Sequence, residues 1–532
     1  MTSADVRESE RPTAAAIPLR RLNVLLGIGL VFGLVIGALL GLTVGPHTPT
    51  LGDARAGDEA LAADVRAVLV SDRGYQTLSA GRVRGGTVSF AGLGEEDGAV
   101  PTPQTRYELG SITKTFTGML LADAITRQEM TVEDRLSQHL PELAGTPAGD
   151  LSLFELATHS SGLPSIPPDI AFDIYAAKLG NENPYEVSIE QVIEASRTVE
   201  LKNQGEYAYS NLGMSLLGHA EARAAGAPDW PSLVTQRILQ PLGMTATTFA
   251  ATANDIPDGA LDGHKGNGWR APHWYGPGFA PAGPGAWTTA EDLTRFATAV
   301  LAGKAPGMAA LEPEAEASTG EIGLAWHTSD VDGREITWHN GGTGGMHTIL
   351  ALDRERQQAV VILGNTTRPA DLAGLALAAA DGPVTAVDSP GIPGIPTIAA
   401  TLAGVWFWII FASAALRGRD RLTVANGLLA GAAGLLILLA HGPWMLIPAW
   451  AWGPMTGASA ALAGYAVLRG RTLPTWSGIR KGGDPPDPPT KPPASKGDGP
   501  IEFRTRVRLR RALAWVNVAA SLIVLGCVIW SL

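Results

Sequence analysis

The stretch Tyr107-Glu108-Leu109-Gly110-Ser111-Ile112-Thr113-Lys114-Thr115-Phe116-Thr117-Gly118-Met119 decides how this 532-residue chain is read. It holds the only Ser-x-x-Lys in the sequence. Ile112, Phe116, Met119, Leu120 and Ile125 recur at helical spacing, which predicts a helix with one apolar stripe starting near Gly110 and Ser111. Residues three apart on a helix share a face, so the Lys114 ammonium is set beside the Ser111 hydroxyl. A serine hydroxyl is a weak nucleophile until a neighbour takes its proton, and a lysine discharged by desolvation or by another cation does that. Free N–H groups at a helix N-terminus supply a donor for an oxyanion. Taken alone, the pattern also fits a surface Ser and Lys on an ordinary amphipathic helix.

Two further constellations bear on the choice. Glu206-Tyr207-Ala208-Tyr209-Ser210-Asn211 contains the chain's only Tyr-x-Asn. A phenol near a cationic lysine shuttles protons, and an asparagine amide positions a substrate carbonyl. Its structural alternative is a turn tyrosine capping a helix over residues 212–223. Trp338-His339-Asn340-Gly341-Gly342-Thr343-Gly344-Gly345 comes third. Glycines in a strand let a substrate backbone approach closely, and an N–H there completes an oxyanion hole. The alternative is a Gly-rich turn with a surface histidine.

Composition limits the remaining possibilities. The single cysteine, Cys527, leaves no internal disulfide, thiolate metal site or cysteine nucleophile to consider. Net charge is −11. The acidic excess lies between about residues 46 and 395 and the flanks are basic, a poor match for nucleic acid.

An apolar run from Val24 to Val44 follows a basic tail at residues 1–23 and is long enough to cross a bilayer. It reads as an uncleaved anchor with its N-terminus in the cytoplasm. After a linker at 45–58 the texture turns globular over 59–382. Val65–Val70 and Gly86–Ala91 alternate like strands. Met346–Leu352 and Ala359–Leu363 flank a turn like an antiparallel hairpin, and residues 370–380 read as a closing helix. Strands at both ends with helices between predict an α+β domain whose sheet closes from distant parts of the chain. A Pro/Gly linker (383–396) precedes three candidate spans within 397–468, at 397–416, 422–440 and about 445–468. A Pro-rich and basic linker (469–511) leads to a last span, 512–532. Arg417, Arg419, Arg421 and the arginines of 504–511 then all fall on the cytoplasmic side, and the globular domain falls outside. The spans carry no Asp, Glu, Lys or Arg, which suits an anchor or interaction module better than a transporter.

In their order, Ser-x-x-Lys, Tyr-x-Asn and His-x-Gly resemble the motifs of the serine β-lactamase and penicillin-binding-protein-like hydrolases. They are similar above all to the class C β-lactamase-related branch, with its D-alanyl-D-alanine carboxypeptidases, D-aminopeptidases and esterases. Leu156-Ala157-Thr158-His159-Ser160-Ser161-Gly162-Leu163-Pro164, Pro241-Leu242-Gly243-Met244, Gly285–Leu293, Gly323-Leu324-Ala325-Trp326 and Leu363-Gly364-Asn365 extend the resemblance across about 60–380. It implies a β-lactamase/transpeptidase-like fold: an antiparallel sheet flanked by helices, plus a helical subdomain, here followed by an α-helical membrane region. It implies Ser111 as the acylated nucleophile, with Lys114 assisting and Tyr209 moving the proton to the leaving group. Asn211 then holds the acyl side of the substrate and His339 its carboxylate or a proton network. The N–H groups of Ser111 and Gly342, beside Gly341, form the oxyanion hole. His159 falls outside the family's catalytic set and reads as structural.

One departure stands out. Efficient β-lactamases of this kind carry Lys-Thr-Gly where this chain has His339-Asn340-Gly341, and a histidine mostly neutral near pH 7 attracts a carboxylate less. The expectation is therefore a membrane-anchored, extracytoplasmic serine hydrolase of peptides, amides or esters. D-amino-acid-containing cell-wall-type peptides are the substrates the resemblance favours, and no metal or organic cofactor is called for. Two rivals are a β-lactam-hydrolysing or -binding enzyme and an inactive membrane-tethered binding module.

Overall fold

A computed structural model describes residues 19–382, 384, 386 and 395–474. The N-terminal tail to residue 18, most of the 383–394 linker and everything from 475 onward, including the span expected at 512–532, lie outside the described residues.

The globular part opens with β1 (Arg55–Gly57), β2 (Thr77–Arg84) and β3 (Thr87–Gly94). β4 (Arg106–Glu108) leads to the serine, and β5 (Thr248–Phe249), the small hairpin β6 (Gly263–His264) and β7 (Arg270–Ala271), and β8 (Ala286–Thr289) follow. The last third supplies β9 (Ala315–Ala317), β10 (Gly320–Ile322), β11 (His327–Val331), β12 (Arg334–Gly342), β13 (His347–Asp353) and β14 (Gln358–Gly364). Nine strands form one antiparallel sheet in the order β1-β3-β2-β14-β13-β12-β11-β10-β9. β14 pairs with β2, Ile362 opposite Ala80, so the two ends of the domain meet in the sheet as expected.

Both faces of that sheet are covered, which explains its nearly continuous apolar central strands. Successive side chains of a strand point to opposite faces. On β13, Ile349 and Ala351 face one core while Leu350 and Leu352 face the other. The first core is closed by α2, found over Glu59–Val68, and by a helix at Asp371–Ala379. The second holds α3 (Thr113–Thr126), the helical subdomain with α4 (Pro168–Leu179) and α5 (Asn211–Ala224), and α6 (Ala290–Leu301). The Asp371–Ala379 helix is α7.

One element corrects the sequence reading. Residues 65–70 were expected as a strand, yet 65–68 end α2. Asp58 caps that helix by accepting from the Leu61 N–H, and Leu61, Ala62, Val65 and Val68 are buried at helical spacing. Alternation seen in a six-residue window was the tail of a 3.6-residue period.

Four helices stand apart from this domain: α1 (Leu19–Val44), α8 (Ile395–Arg417), α9 (Arg421–His441) and α10 (Trp452–Gly470). Among the described residues two stretches are long and apolar enough to cross a membrane, Thr397–Arg417 and Arg421–His441. Within the third expected span the helix begins only at Trp452, after a 3-10 turn at Ala449–Ala451, and it is not one of those two stretches. α1 and α10 run antiparallel with glycines interlocked. A Cβ on Gly33 would lie 2.5 Å from the Gly457 carbonyl oxygen, and one on Gly37 would lie 2.1 Å from that of Gly453. Such small-residue contacts bring helix backbones together without any drive from water.

Candidate active site

Gly110 sits at the head of α3 with φ +62°, a left-handed conformation in which a Cβ would meet the Gly342 nitrogen at 2.7 Å. That turn delivers Ser111 into a 3-10 segment, Gly110–Ile112, that runs straight into α3. Lys114, one turn on, is fully buried. Its Nζ donates to Ser111 Oγ at 2.9 Å and to the Ala282 carbonyl at 2.6 Å. Burial holds its pKa well below the ordinary lysine value. Burial thus makes its proton easier to lose beside the hydroxyl it touches.

Tyr209 completes the cluster from the start of α5. Lys114 Nζ lies 4.8 Å from the centroid of its ring. Burial raises the phenol's pKa, and a hydrogen bond to Ser111 opposes that rise. Since 37% of Tyr209 is open to the cleft, solvent softens the effect of burial. Asn211 is the first residue of α5, behind the cap in which Ser210 Oγ accepts from the Gly213 N–H. It is half-buried beside the cleft.

The Thr158–Leu163 turn explains how Tyr209 is aimed. His159 adopts φ +57°, its carbonyl accepts from the Ala208 N–H at 2.7 Å, and its Nδ1 accepts from the Ser210 N–H at 3.3 Å. The Ser160 and Gly162 carbonyls accept from Gly205 and Lys202 N–H groups. His159 thus clamps both neighbours of Tyr209, and its ring lies 4.6 Å from the Tyr209 ring.

The opposite wall is β12. Its partner β11 ends the pairing at His327 opposite Trp338, so residues 339–342 carry no strand on that side. This free edge faces the serine: a Cβ on Gly341 would come within 3.1 Å of the Ser111 nitrogen and 2.1 Å of the Leu109 carbonyl oxygen. Gly341 therefore lies against the Leu109–Ser111 backbone because it has no side chain, and the Gly342 nitrogen comes close because Gly110 has none.

His339 lies on β12. It is buried, and its Nδ1–H donates to the Asn340 carbonyl at 2.6 Å, which leaves Nε2 as a lone-pair acceptor. Among the described residues that nitrogen has no partner. Burial, then His327 and Lys114, keep its pKa well below the usual imidazole value. It is a neutral group between β12 and Tyr209, whose ring is 6.5 Å away.

Three groups were invisible to sequence reasoning. His327 stacks on Trp338 at 5.0 Å and tilts against His339 at 5.3 Å, and burial brings its pKa down to about 4. Glu108 is buried three residues before the nucleophile and accepts from Thr343 Oγ1 at 2.5 Å and the Trp274 N–H at 2.6 Å. Burial pushes its carboxyl up to about 7. Trp274 reaches the site from a loop more than 160 residues away, and no local pattern announces it. Among the described residues no group of three or more His, Cys, Asp or Glu is arranged to hold a metal ion.

A profile of the beta-lactamase family matches residues 61–382. A beta-lactamase of Providencia stuartii is 30% identical over 146 residues, 27% of this chain and 34% of that protein. The unguisins hydrolase ungD' of Aspergillus campestris is 25% identical over 328 residues, 54% of this chain and 57% of that protein. The chain thus spans less than two thirds of the length of these curated relatives. A crystal structure of a beta-lactamase/D-alanine carboxypeptidase from Pseudomonas syringae shares the fold, with a TM-score of 0.50, 20% identity and coverage of 58% of this chain and 94% of that one.

Proposed function

The chain belongs to the beta-lactamase family, and on that premise we propose that it is a serine hydrolase working through an acyl-enzyme on Ser111. The observation that carries the reading is the buried Lys114, its pKa lowered by burial and its Nζ 2.9 Å from Ser111 Oγ. Lys114 takes the hydroxyl proton as Oγ bonds to the carbonyl carbon of an amide or ester. The oxygen turns anionic and is held by the Ser111 and Gly342 N–H groups. Tyr209 relays the proton to the departing amine or alcohol, which leaves with the bonding pair. Water then attacks the ester on Ser111, passes a proton back to the serine, and releases the acid. Asn211 and the free edge of β12 orient the acyl side. The neutral His339 accepts a hydrogen bond through Nε2 and does not supply a cation.

The family resemblance favours D-amino-acid-containing peptides as substrates. The domain spans 59–382 and sits outside the membrane, between an anchor at 24–44 and a helical region at 397–468. Two features support this topology. Arg421 and Arg469 bond carbonyls at one end of the helix bundle, Gly470 and Ala415 among them. At the other end the turn between α9 and α10 meets the globular domain, with Arg73 donating to the Trp444 and Ile447 carbonyls at 2.6 and 2.7 Å.

Intact-mass spectrometry of the full chain in detergent, after a fluorophosphonate or a penicillin, tests the serine. One adduct is expected, absent in Ser111→Ala and slowed about 10²–10⁴-fold in Lys114→Ala, the usual range for a proton-transfer group. No adduct on folded protein would sink the enzyme reading. Turnover of D-Ala-D-Ala peptides above that of their L,L isomers and of nitrocefin tests the substrate class.

A further inference from the structure

Between residues 46 and 386 seven large apolar side chains are exposed, and three of them, Phe172, Tyr175 and Leu179, lie on α4. They are 81%, 55% and 53% exposed. Their spacing of three and four puts them on one side of the helix. Its opposite side, through Ile174, is buried in the domain. Water is a poor solvent for such a cluster.

What lies next to it identifies the occupant. At the end of α4, Asn181 Nδ2 donates to the Arg270 carbonyl on β7. The tip of that same hairpin touches the membrane helices: Asn267 Nδ2 donates to the Leu439 and Ala440 carbonyls at the end of α9, and Gly266 packs on Met445. Arg270 is three residues from Asn267, so two hydrogen bonds and one short turn join the end of α4 to the end of α9. Aromatic and aliphatic side chains on one helix face settle in the headgroup layer beside a span.

α4 also connects to the cleft. Lys178 Nζ lies 5.5 Å from the Trp274 ring, 5.4 Å from that of Tyr185 and 5.9 Å from that of Tyr175. Trp274 in turn donates its N–H to Glu108, three residues from the nucleophile.

We propose that α4 seats Phe172, Tyr175 and Leu179 in the headgroup layer of the outer leaflet, and that the cleft takes an amphiphilic, lipid-borne amide or ester from that leaflet. This rests on the membrane topology and serine chemistry proposed above. Phe172 and Leu179 touch nothing in the catalytic cluster, so removing them weakens delivery of the substrate and leaves the chemistry intact.

The test uses the full chain in phosphatidylcholine/phosphatidylglycerol vesicles. A nitrobenzoxadiazole label is placed at Phe172→Cys in a Cys527→Ser background, and the vesicles contain brominated lipid. Blue-shifted, quenched emission is expected. In parallel, Phe172→Ser/Leu179→Ser should hydrolyse a water-soluble ester like the parent but a long-chain ester embedded in vesicles at least about ten-fold more slowly. Solvent-like, unquenched emission from protein that floats with the vesicles would overturn the α4 proposal and leave the anchoring intact. Equal turnover of the embedded ester by parent and variant would overturn the delivery role. Protein that does not float with vesicles would remove the membrane premise itself, and absence of serine labelling would remove the chemical one.

Discussion

Glu108→Gln offers a quantitative test of the site's electrostatics. The Glu108 carboxyl is buried, and burial outweighs its two hydrogen bonds, raising it from an ordinary 4.5 to about 7. Between those values the folded protein holds a proton that the unfolded chain has released. The resulting stability is therefore complete below about pH 4.5 and is lost as pH rises through about 7. At 1.36 kcal/mol per pH unit the gap amounts to about 3 kcal/mol. For a domain of roughly 320 residues, an unfolding entropy near 2.1 cal/mol/K per residue converts that into about 4–5 °C of melting temperature. Glutamine imitates the protonated acid. Its oxygen accepts from the Trp274 N–H and its amide donates to Thr343 Oγ1, so the variant keeps both contacts without the titration. Thermal unfolding of the full chain in detergent, followed by tryptophan fluorescence at about pH 5 and pH 8, reads the effect. The parent should lose about 4–5 °C more than the variant between the two, and other titrating groups cancel in that comparison. Identical pH dependence in the two proteins would refute the argument that Glu108 is folded as a largely neutral acid.

Three further outcomes follow from the geometry. Gly341→Ala places a Cβ 2.1 Å from the Leu109 oxygen and 2.3 Å from Thr348 Oγ1, which forces β12 away from the serine. Fluorophosphonate labelling should fall at least about 100-fold, the loss typical of a disturbed oxyanion hole, and unchanged labelling would disprove the close approach. His327 has its folded pKa depressed to about 4, so its stability contribution is present above about 6.5 and is lost as pH falls through 4. His327→Gln should flatten the acid side of the melting curve by up to about 3 kcal/mol, whatever packing it loses at neutral pH. Gly457→Leu drives a side chain into the Gly33 backbone, against which even a Cβ would sit 1.7 Å from the carbonyl oxygen. Cysteine cross-linking between α1 and α10 should be efficient in the parent and lost in this variant.

Much of the site was readable because its chemistry depends on residues close in sequence. Ser111 and Lys114 are one helical turn apart, and that turn alone sets them in contact. The hairpin at 346–363 was legible for the same reason, since its two runs are separated by a short polar turn. The misread strand at 65–70 shows the limit. A short apolar alternation carries no period of its own until the capping Asp58 and the buried Leu61 are counted with it. Glu108 and His327 escaped because their importance comes from burial, which no local pattern encodes.

Taken by itself, the sequence determined which residues are available and in what order: one Ser-x-x-Lys, one Tyr-x-Asn, the glycine-rich run after His339, an acidic globular stretch and charge-free apolar runs. Helical periodicity and bilayer length are local constraints, so they survive translation from residues to elements. Tertiary structure decided the rest. It buried Lys114 and His339 and so lowered the pKa of both. It brought Trp274 to Glu108 and the β6–β7 hairpin to the end of α9. Desolvation and long-range proximity depend on how the whole chain packs, and for that reason no stretch of the sequence could declare them.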